Sequence, residues 1–214
     1  DTLSLHDALP IFICSYEKMC SRVIIKRTHT NVVLIELNGK VIFKNDDTDI
    51  SLKEVEDECI ELSVKKIYDY AQSVRIEDVD FLLQGARMNK LVSDEGLKND
   101  YGLKVGKSIS ENSKVSPFVE DLSSFIVSVT AAASDARMAG CNLPVMSTAG
   151  SGNQGIAASL PAFAAAMKLG KSDEELTRAL VISNLMTIYI KTYLGRLSPL
   201  CGSGVATTTG SSCA

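Results

Sequence analysis

The sequence lacks the features that mark membrane, nucleic-acid-binding and secreted proteins. No apolar run reaches the length of about 18 residues that a membrane-spanning helix needs. Lysines and arginines are spread along the chain and the net charge is −4. Because no basic patch forms, we expect no nucleic-acid partner. The first residues carry no basic stretch and no clear cleavage site, so we expect no signal peptide, no membrane contact and a cytoplasmic location.

Residues that form zinc sites or disulfide bonds are also few or poorly spaced for either purpose. The two histidines, His6 and His29, argue against a histidine-rich zinc site. The six cysteines have no repeated spacing and no C-x-x-C pair. In a reducing compartment this pattern indicates free thiols or metal ligands, and not a disulfide framework.

The N-terminal half predicts a small α/β part that contains a hairpin. Residues 1–20 show no clear periodicity, and we interpret them as a doubtful, non-native segment outside the fold. In the part that follows, residues 21–110, the pair Asn38-Gly39 stands between two β-rich runs. Asn-Gly is the pair that a two-residue hairpin turn prefers, so residues 31–44 are predicted to form two antiparallel strands.

Two helices are expected after this hairpin. The first spans residues 51–74 and opens with a capping box of Ser51 and Glu54. The second spans residues 79–97, after which Gly102 and Gly106 are expected to interrupt the helical pattern.

The C-terminal part, residues 111–214, is expected to be mostly helical, which makes the predicted fold class α+β. Small apolar residues dominate it, as is typical of helices that pack closely on several sides. The predicted helices start at Ser116, near Gln154 and at Ser172, and the last two end at Gly170 and Gly195. Residues 197–214 form a tail that is rich in Gly, Ser, Thr and Cys.

A glycine-rich loop, residues 147–155, lies between two of these helices. Its glycines let backbone amides approach a ligand closely, and it leads into a helix N-terminus, where free N–H groups favour an anion. The residues that we expect to bind a carboxylate or phosphate are Ser151, Gly152, Asn153 and Gln154. No Gly-Lys-Ser/Thr follows, which excludes a P-loop. From the residues alone, a tightly packed turn remains an equal alternative.

Cys201 stands beside glycines in Leu-Cys-Gly-Ser-Gly, just beyond the last predicted helix. A thiol in such an accessible setting suits a metal or cluster ligand, whereas free cysteines also occur as small buried hydrophobic residues. Both interpretations stay open for Cys201 and for Cys213, which lies in a similar sequence. Cys59 and Cys141 are interpreted as structural residues.

Asp135 and Arg137 close the helix that precedes the glycine-rich loop. We interpret them as an ion pair at the end of this helix. The alternative is that Arg137 faces a substrate carboxylate.

Three stretches resemble the serine dehydratase-like α-chain family, which includes the L-cysteine desulfidases. They are EGLKNDYGLKVGKSI (95–109), MAGCNLPVMSTAGSGNQGIAASLP (138–161) and TIYIKTYLGRLSPLCGSGVA (187–206). The hairpin sequence RTHTNVVLIELNG (27–39) is similar as well, so that the resemblance covers residues 22–214. GSGNQG and LCG, in this order and at this separation, are specific to the family only in combination.

The resemblance implies an iron–sulfur lyase that converts L-cysteine to pyruvate, ammonia and sulfide. In this family a [4Fe–4S] cluster is held by three cysteines, and its open iron acts as a Lewis acid on the β-thiolate of the substrate. Cys201 matches the cysteine of the Leu-Cys-Gly motif, and Cys213 is the second candidate ligand. Residues 151–154 match the glycine loop and are expected to hold the substrate, a small amino acid. The oligomeric state stays open, and a homo-oligomer is one alternative.

Two departures from the family pattern indicate an incomplete enzyme. Ser203 stands where the family often has a second cysteine, in Cys-Gly-Cys. The family's Gly-Cys-Thr-Glu-Pro element, thought to carry the catalytic cysteine, has no match in this chain, so no catalytic residue is assigned. We therefore expect a fragment that lacks parts of the enzyme at both ends and is inactive, or nearly so, by itself. The alternatives are an L-serine dehydratase, which forms pyruvate and ammonia, and a cluster-free binding domain of the same fold.

Overall fold

The structure is a computed structural model, and it describes residues 11–17, 19–25, 31–45, 61–115, 121–195, 198 and 200–214. The chain divides into two compact units. The first comprises residues 1–62 and 191–201, and the second comprises residues 63–190 and 202–214. The boundary expected near residue 110 falls inside the second unit.

The first unit contains a four-stranded antiparallel sheet in which each strand pairs with the next one along the chain. The strands are β1 (Ile11–Tyr16), β2 (Met19–Ile25), β3 (Val32–Leu37) and β4 (Lys40–Lys44). The hairpin predicted for β3 and β4 is confirmed, because Asn38 and Gly39 have φ angles of 51° and 76°, as a type I′ turn requires. Strand β1 and the start of β2 lie in the segment 1–20 that the sequence analysis left outside the fold.

The second unit is helical, which confirms the predicted α+β class. The helices are α1 (Val64–Ser73), α2 (Ile76–Lys98), α3 (Val105–Val115), α4 (Leu122–Met138), α5 (Gly152–Leu169), α6 (Asp173–Leu194) and, after a π-helical turn at Ser203–Thr207, α7 (Thr208–Ser212). The last four residues of α6 are assigned to the first unit. Within the described part of the chain, each helix is too short or too polar to cross a lipid bilayer.

The local signals placed α2, α5 and α6 correctly. At α6 the capping box is confirmed, since Glu175 N–H donates to Ser172 Oγ over 3.2 Å and Ser172 N–H donates to a Glu175 carboxylate oxygen over 2.9 Å. At the end of α5, Gly170 has a φ of 63° and forms a left-handed C-cap.

Two helical predictions were wrong, and others lie outside the described residues. Helix α1 begins only after Ser63, whose side chain accepts a hydrogen bond from Lys66 N–H, so residues 61–63 are not part of a longer helix. Helix α3 was missed because Gly106 was interpreted as a break. The predictions that lie outside the described residues concern His6, His29, the Ser51–Glu54 capping box, Cys59 and the helix start at Ser116.

Helix α5 lies at the centre of the core of the second unit. Seven buried residues of α2, α4 and α5 form one cluster, which consists of Val92, Val129, Ala133, Ala136, Ile156, Leu160 and Ala164. A second cluster joins α2, α5 and α6 through Leu83, Ala86, Ala162, Ala166, Leu176 and Leu180. Alanines in both clusters allow the helices to approach closely. This packing fixes the N-terminus of α5 and the loop that precedes it.

Candidate functional site

The glycine-rich loop reaches α5 through a tight turn. The backbones of Thr148 and Ser151 exchange two hydrogen bonds of 3.2 and 3.1 Å. Between them Ala149 and Gly150 have φ angles of 49° and 81°, as in a two-residue hairpin turn. Ser151 then forms the N-cap of α5, with its Oγ accepting a 3.5 Å hydrogen bond from Gln154 N–H. The turn thus places residues 151–154 at the helix N-terminus, as the sequence predicted.

A buried polar network holds the back of this loop. Asn89 of α2 accepts a hydrogen bond from Met146 N–H over 2.9 Å and donates one to Met146 O over 3.3 Å. The same carboxamide donates to Ser159 Oγ over 3.0 Å, and Ser159 in turn donates to Gly155 O over 2.7 Å. Asn89 is only 1% exposed, so these bonds form away from water, where a broken one is costly. The sequence analysis did not identify Asn89 or Ser159.

Arg137 lies at the α5 N-terminus, where it contacts the loop and not Asp135. Its Nη1 donates to Asn153 Oδ1 over 2.8 Å, and its guanidinium lies against Gly152. Asp135 instead accepts a 3.1 Å hydrogen bond from Gly106 N–H. The favoured interpretation of Asp135 and Arg137 as an ion pair was therefore wrong. Arg137 instead contacts the glycine loop, and the alternative, in which it faces a substrate carboxylate, stays a prediction.

Gln154 connects the glycine loop with the residue that follows Cys201. Its side chain lies against Gly202, so closely that a Cβ at Gly202 would be 2.5 Å from Gln154 Nε2. Gln154 is 7% exposed. Its Oε1 is buried, and within the described part of the chain it has no hydrogen-bond partner. The two sequence motifs that carry the resemblance thus meet at this pair.

A cavity of about 340 Å³ lies on another side of the loop. Its walls are largely apolar and come from α1, α2, α5, α6 and residues 146–149. Among its polar residues, Asn89 and Ser159 bind the loop backbone, and Asn184 accepts a 2.7 Å hydrogen bond from Thr148 Oγ1. Because these groups are already occupied, the cavity suits a charged amino acid less well than the α5 N-terminus does.

The positions of the cysteines show how far the described residues fit an iron–sulfur cluster that is held by three thiolates. Cys201 and Cys213 are exposed, and Cys141 is half-buried. Across the residues for which a placement is given, no group of three or more Cys, His, Asp and Glu side chains could hold a metal ion. The described residues by themselves therefore do not supply all three thiolates of such a cluster.

Cys141 is part of an apolar cluster next to a half-buried tyrosine. Tyr101 and Cys141 both pack against the first core cluster, which agrees with the structural role expected for Cys141. Tyr101 donates a 3.0 Å hydrogen bond to Glu95 Oε1. This bond, together with burial and the neighbouring Cys141 thiol, raises the pKa of Tyr101 to about 12. Tyr101 thus stays a neutral hydrogen-bond donor at physiological pH.

Comparison with known families matches the serine dehydratase alpha chain over residues 26–214. The chain belongs to this family. The match includes the glycine loop, Arg137, Gln154 and both candidate cysteine ligands, and it begins after the first two strands.

Curated relatives carry the name UPF0597 protein, which names no activity. Relatives from Clostridium perfringens and Oleidesulfovibrio alaskensis are 50% and 45% identical over 193 and 186 residues. These alignments cover 90% and 87% of this chain but 45% and 43% of the relatives. A Bacteroides thetaiotaomicron relative is 43% identical over 201 residues, which cover 94% of this chain and 46% of the relative. The chain thus spans less than half the length of these relatives. No solved structure matches it significantly.

Proposed function

We propose that the chain is part of a lyase of the L-cysteine desulfidase type, in which residues 151–154 bind the amino-acid substrate. The reaction converts L-cysteine and water to pyruvate, ammonia and sulfide, and we place it in the cytoplasm. Membership of the serine dehydratase alpha chain family supports a lyase. The hydrogen-bond donors at the α5 N-terminus support a substrate with a carboxylate.

The observation that carries this proposal is the position of Arg137. In the described part of the chain, its polar contacts are Asn153 Oδ1 at 2.8 Å and Met138 Sδ at 3.7 Å, and neither is negatively charged. Its positive charge is therefore not neutralised by either contact. The α5 N-terminus adds the partial positive charge of the helix and the N–H groups of its first turn. A carboxylate complements both groups.

In the proposed reaction, a base removes the proton from the substrate Cα. The electron pair forms a Cα–Cβ double bond while the Cβ–S bond breaks and sulfide leaves. The resulting aminoacrylate tautomerises to an imine, which water hydrolyses to pyruvate and ammonia. As negative charge spreads from Cα into the carboxylate, Arg137 and the α5 N-terminus stabilise it where it develops. No described residue is assigned as the base.

The name of the matching family supports a second candidate, L-serine dehydratase. L-Serine has the same carboxylate and ammonium groups, and only its leaving group differs. The α5 N-terminus recognises the shared part of both substrates. A binding domain without catalysis would use the same contacts. A turnover measurement distinguishes such a domain from an enzyme.

The experiment that tests the function combines binding with turnover. Pyruvate, sulfide and ammonia are measured anaerobically with L-cysteine and with L-serine, for this chain and in parallel for the Clostridium perfringens relative. We expect L-cysteine to bind to both proteins and the relative to release sulfide. Pyruvate from L-serine alone would favour the dehydratase, and binding without turnover by either protein would favour the binding domain. If neither amino acid binds to the chain, the proposal is wrong.

Arg137→Gln provides the structural control of this experiment. We expect it to weaken L-cysteine binding roughly 10- to 100-fold, the loss typical of one hydrogen bond to a charged group. Arg87→Gln is the matched substitution, because Arg87 is an exposed arginine that pairs with Asp173 over 2.7 Å. It should leave the affinity unchanged. Equal effects of the two substitutions would contradict the role of Arg137.

The [4Fe–4S] cluster that the resemblance implies is also a proposal, with Cys201 and Cys213 as the thiolates that this chain contributes. Both are exposed. Iron content and charge-transfer absorbance after anaerobic reconstitution test it on the purified chain. We expect lower iron content in Cys201→Ala and Cys213→Ala, and no change in Cys20→Ala, which removes another exposed thiol. Equal iron content in all four proteins would exclude these ligands.

A further inference from the structure

The side chain of Gln154 presents a buried hydrogen-bond acceptor without a partner. Gln154 is 7% exposed, and its Oε1 accepts no hydrogen bond from the residues that the structure describes. A carbonyl oxygen removed from water without a partner costs free energy, and most such groups in folded proteins are satisfied. This acceptor therefore indicates a position where a ligand supplies the donor.

Gly202 holds this acceptor in place. A Cβ at Gly202 would lie 2.5 Å from Gln154 Nε2, 2.9 Å from Cδ and 3.3 Å from Oε1. The carboxamide thus occupies the space that any other residue at position 202 would fill. At the other end of the side chain, the backbone N–H of Gln154 is bound to Ser151 Oγ. The N-cap bond and the packing against Gly202 together limit the positions that the acceptor can take.

The chemistry around Gln154 indicates which donor it receives. The other groups at the α5 N-terminus, namely Arg137 and the first-turn N–H groups, are donors and complement a carboxylate. Gln154 Oε1 is an acceptor and complements an ammonium group. An α-amino acid carries both groups on one carbon atom, whereas a simple carboxylic acid carries only the first.

We propose that Gln154 Oε1 accepts a hydrogen bond from the α-ammonium group of the substrate, and that Gln154 thereby selects amino acids over carboxylates that lack the amine. This inference rests on the proposed function, because it concerns the same site. It also explains product release, since pyruvate retains the carboxylate but has lost the ammonium group. Gly202 acts as a positioning residue for this contact.

The test compares L-cysteine with 3-mercaptopropionate, which has the same carboxylate and thiol but no amine. Dissociation constants are measured by calorimetry for the purified chain and for Gln154→Leu. Leucine has a similar size and no acceptor. We expect Gln154→Leu to weaken L-cysteine binding roughly 10- to 100-fold, because this is the typical effect of losing one hydrogen bond to a charged group. The affinity for 3-mercaptopropionate should stay the same.

Gln154→Glu is the matched variant, because it keeps an acceptor at this position. It should retain the preference for L-cysteine. The melting temperature provides an independent readout: Gln154→Leu should melt at the same or a higher temperature, because it removes an unpaired buried carbonyl. Should Gln154→Leu not fold, Gln154→Met takes its place with the same expectations.

The outcomes separate this inference from the proposed function. If the unmodified chain binds L-cysteine, and Gln154→Leu weakens both ligands equally or neither, Gln154 does not read the ammonium group and the proposed function stands. If the unmodified chain binds neither L-cysteine nor L-serine, the substrate site itself is wrong, and this inference falls with it.

Discussion

No side chain fits at Gly155, because a Cβ there would lie 1.9 Å from the carbonyl oxygen of Met146. This contact brings the first turn of α5 directly against the segment that leads into the loop. The glycine is thus required by the close approach of two backbones, and not by the ligand.

Gly155→Ala should therefore destabilise the protein by about 3 kcal/mol, the upper part of the usual range for overpacking, because backbone atoms have to move. Gly152→Ala is the matched change in the same turn. Its Cβ would lie 2.6 Å from Arg137 Nε, which belongs to a flexible side chain that can shift. Urea denaturation measures both variants, and an equal loss of unfolding free energy would contradict the backbone contact.

Asn89→Ala should lower the free energy of unfolding by roughly 3 kcal/mol, because it removes the partner of two half-buried backbone groups of Met146 and of the buried Ser159 hydroxyl. It should also increase the rate at which a protease cleaves the loop at residues 147–151. Asn99→Ala is the control, since Asn99 is exposed and bonds only locally to Glu95. We expect it to change stability by about 0.5 kcal/mol or less. Unchanged cleavage in Asn89→Ala would exclude a supporting role for this network.

Ala149→Gly should stabilise the protein by about 0.5–1 kcal/mol. At its φ of 49° an alanine is strained by about 1–2 kcal/mol, and the larger chain entropy of glycine in the unfolded state offsets part of the gain. Ala139→Gly is the same change at a φ of −87°, where no such strain exists, and it should destabilise. Thermal unfolding measures the stability of both variants. A lower stability of both than of the unmodified chain would show that the turn is not strained.

Acid should weaken the N-terminus of α6 through Glu175. Hydrogen bonds from the Ser172 backbone N–H, the Lys171 ammonium and the Ser172 hydroxyl lower the pKa of Glu175 from 4.5 to about 2. Because the folded-state pKa is depressed, the stabilisation is complete above pH 4.5 and is lost as the pH falls towards 2. The difference in stability between the unmodified chain and Glu175→Gln should shrink across this window. A difference that stays constant from pH 7 to pH 2 would show that the carboxylate charge is not involved.

Sequence reasoning succeeded where a signal depends on near neighbours in the chain. Asn38-Gly39, the Ser172–Glu175 capping box and the C-cap at Gly170 each act within a few residues, and all three are confirmed. The loop at residues 151–154 was placed correctly at a helix N-terminus for the same reason. The family was also identified from the sequence, since the motifs that carry it are short and local.

Sequence reasoning failed where burial overrides local preference. The sequence analysis assigned no helix to the Gly-, Ser- and Thr-rich tail, which forms a π-helical turn and α7. Ala206, Thr207 and Gly210 are buried there, and the Thr207 hydroxyl donates to Ser203 O over 2.7 Å. Packing thus compensates for a low helix propensity. The same applies to α3, where the buried Gly106 lies inside the helix.

The sequence by itself determined the family, the α+β class, the hairpin at Asn38-Gly39 and the position of the candidate loop before a helix N-terminus. The tertiary structure alone decided that Arg137 binds Asn153 and not Asp135, that Asn89 holds Met146, and that Gln154 packs on Gly202. The physical reason is distance along the chain. Propensities and caps are set by residues one turn away, whereas these contacts join segments that only tertiary packing brings together.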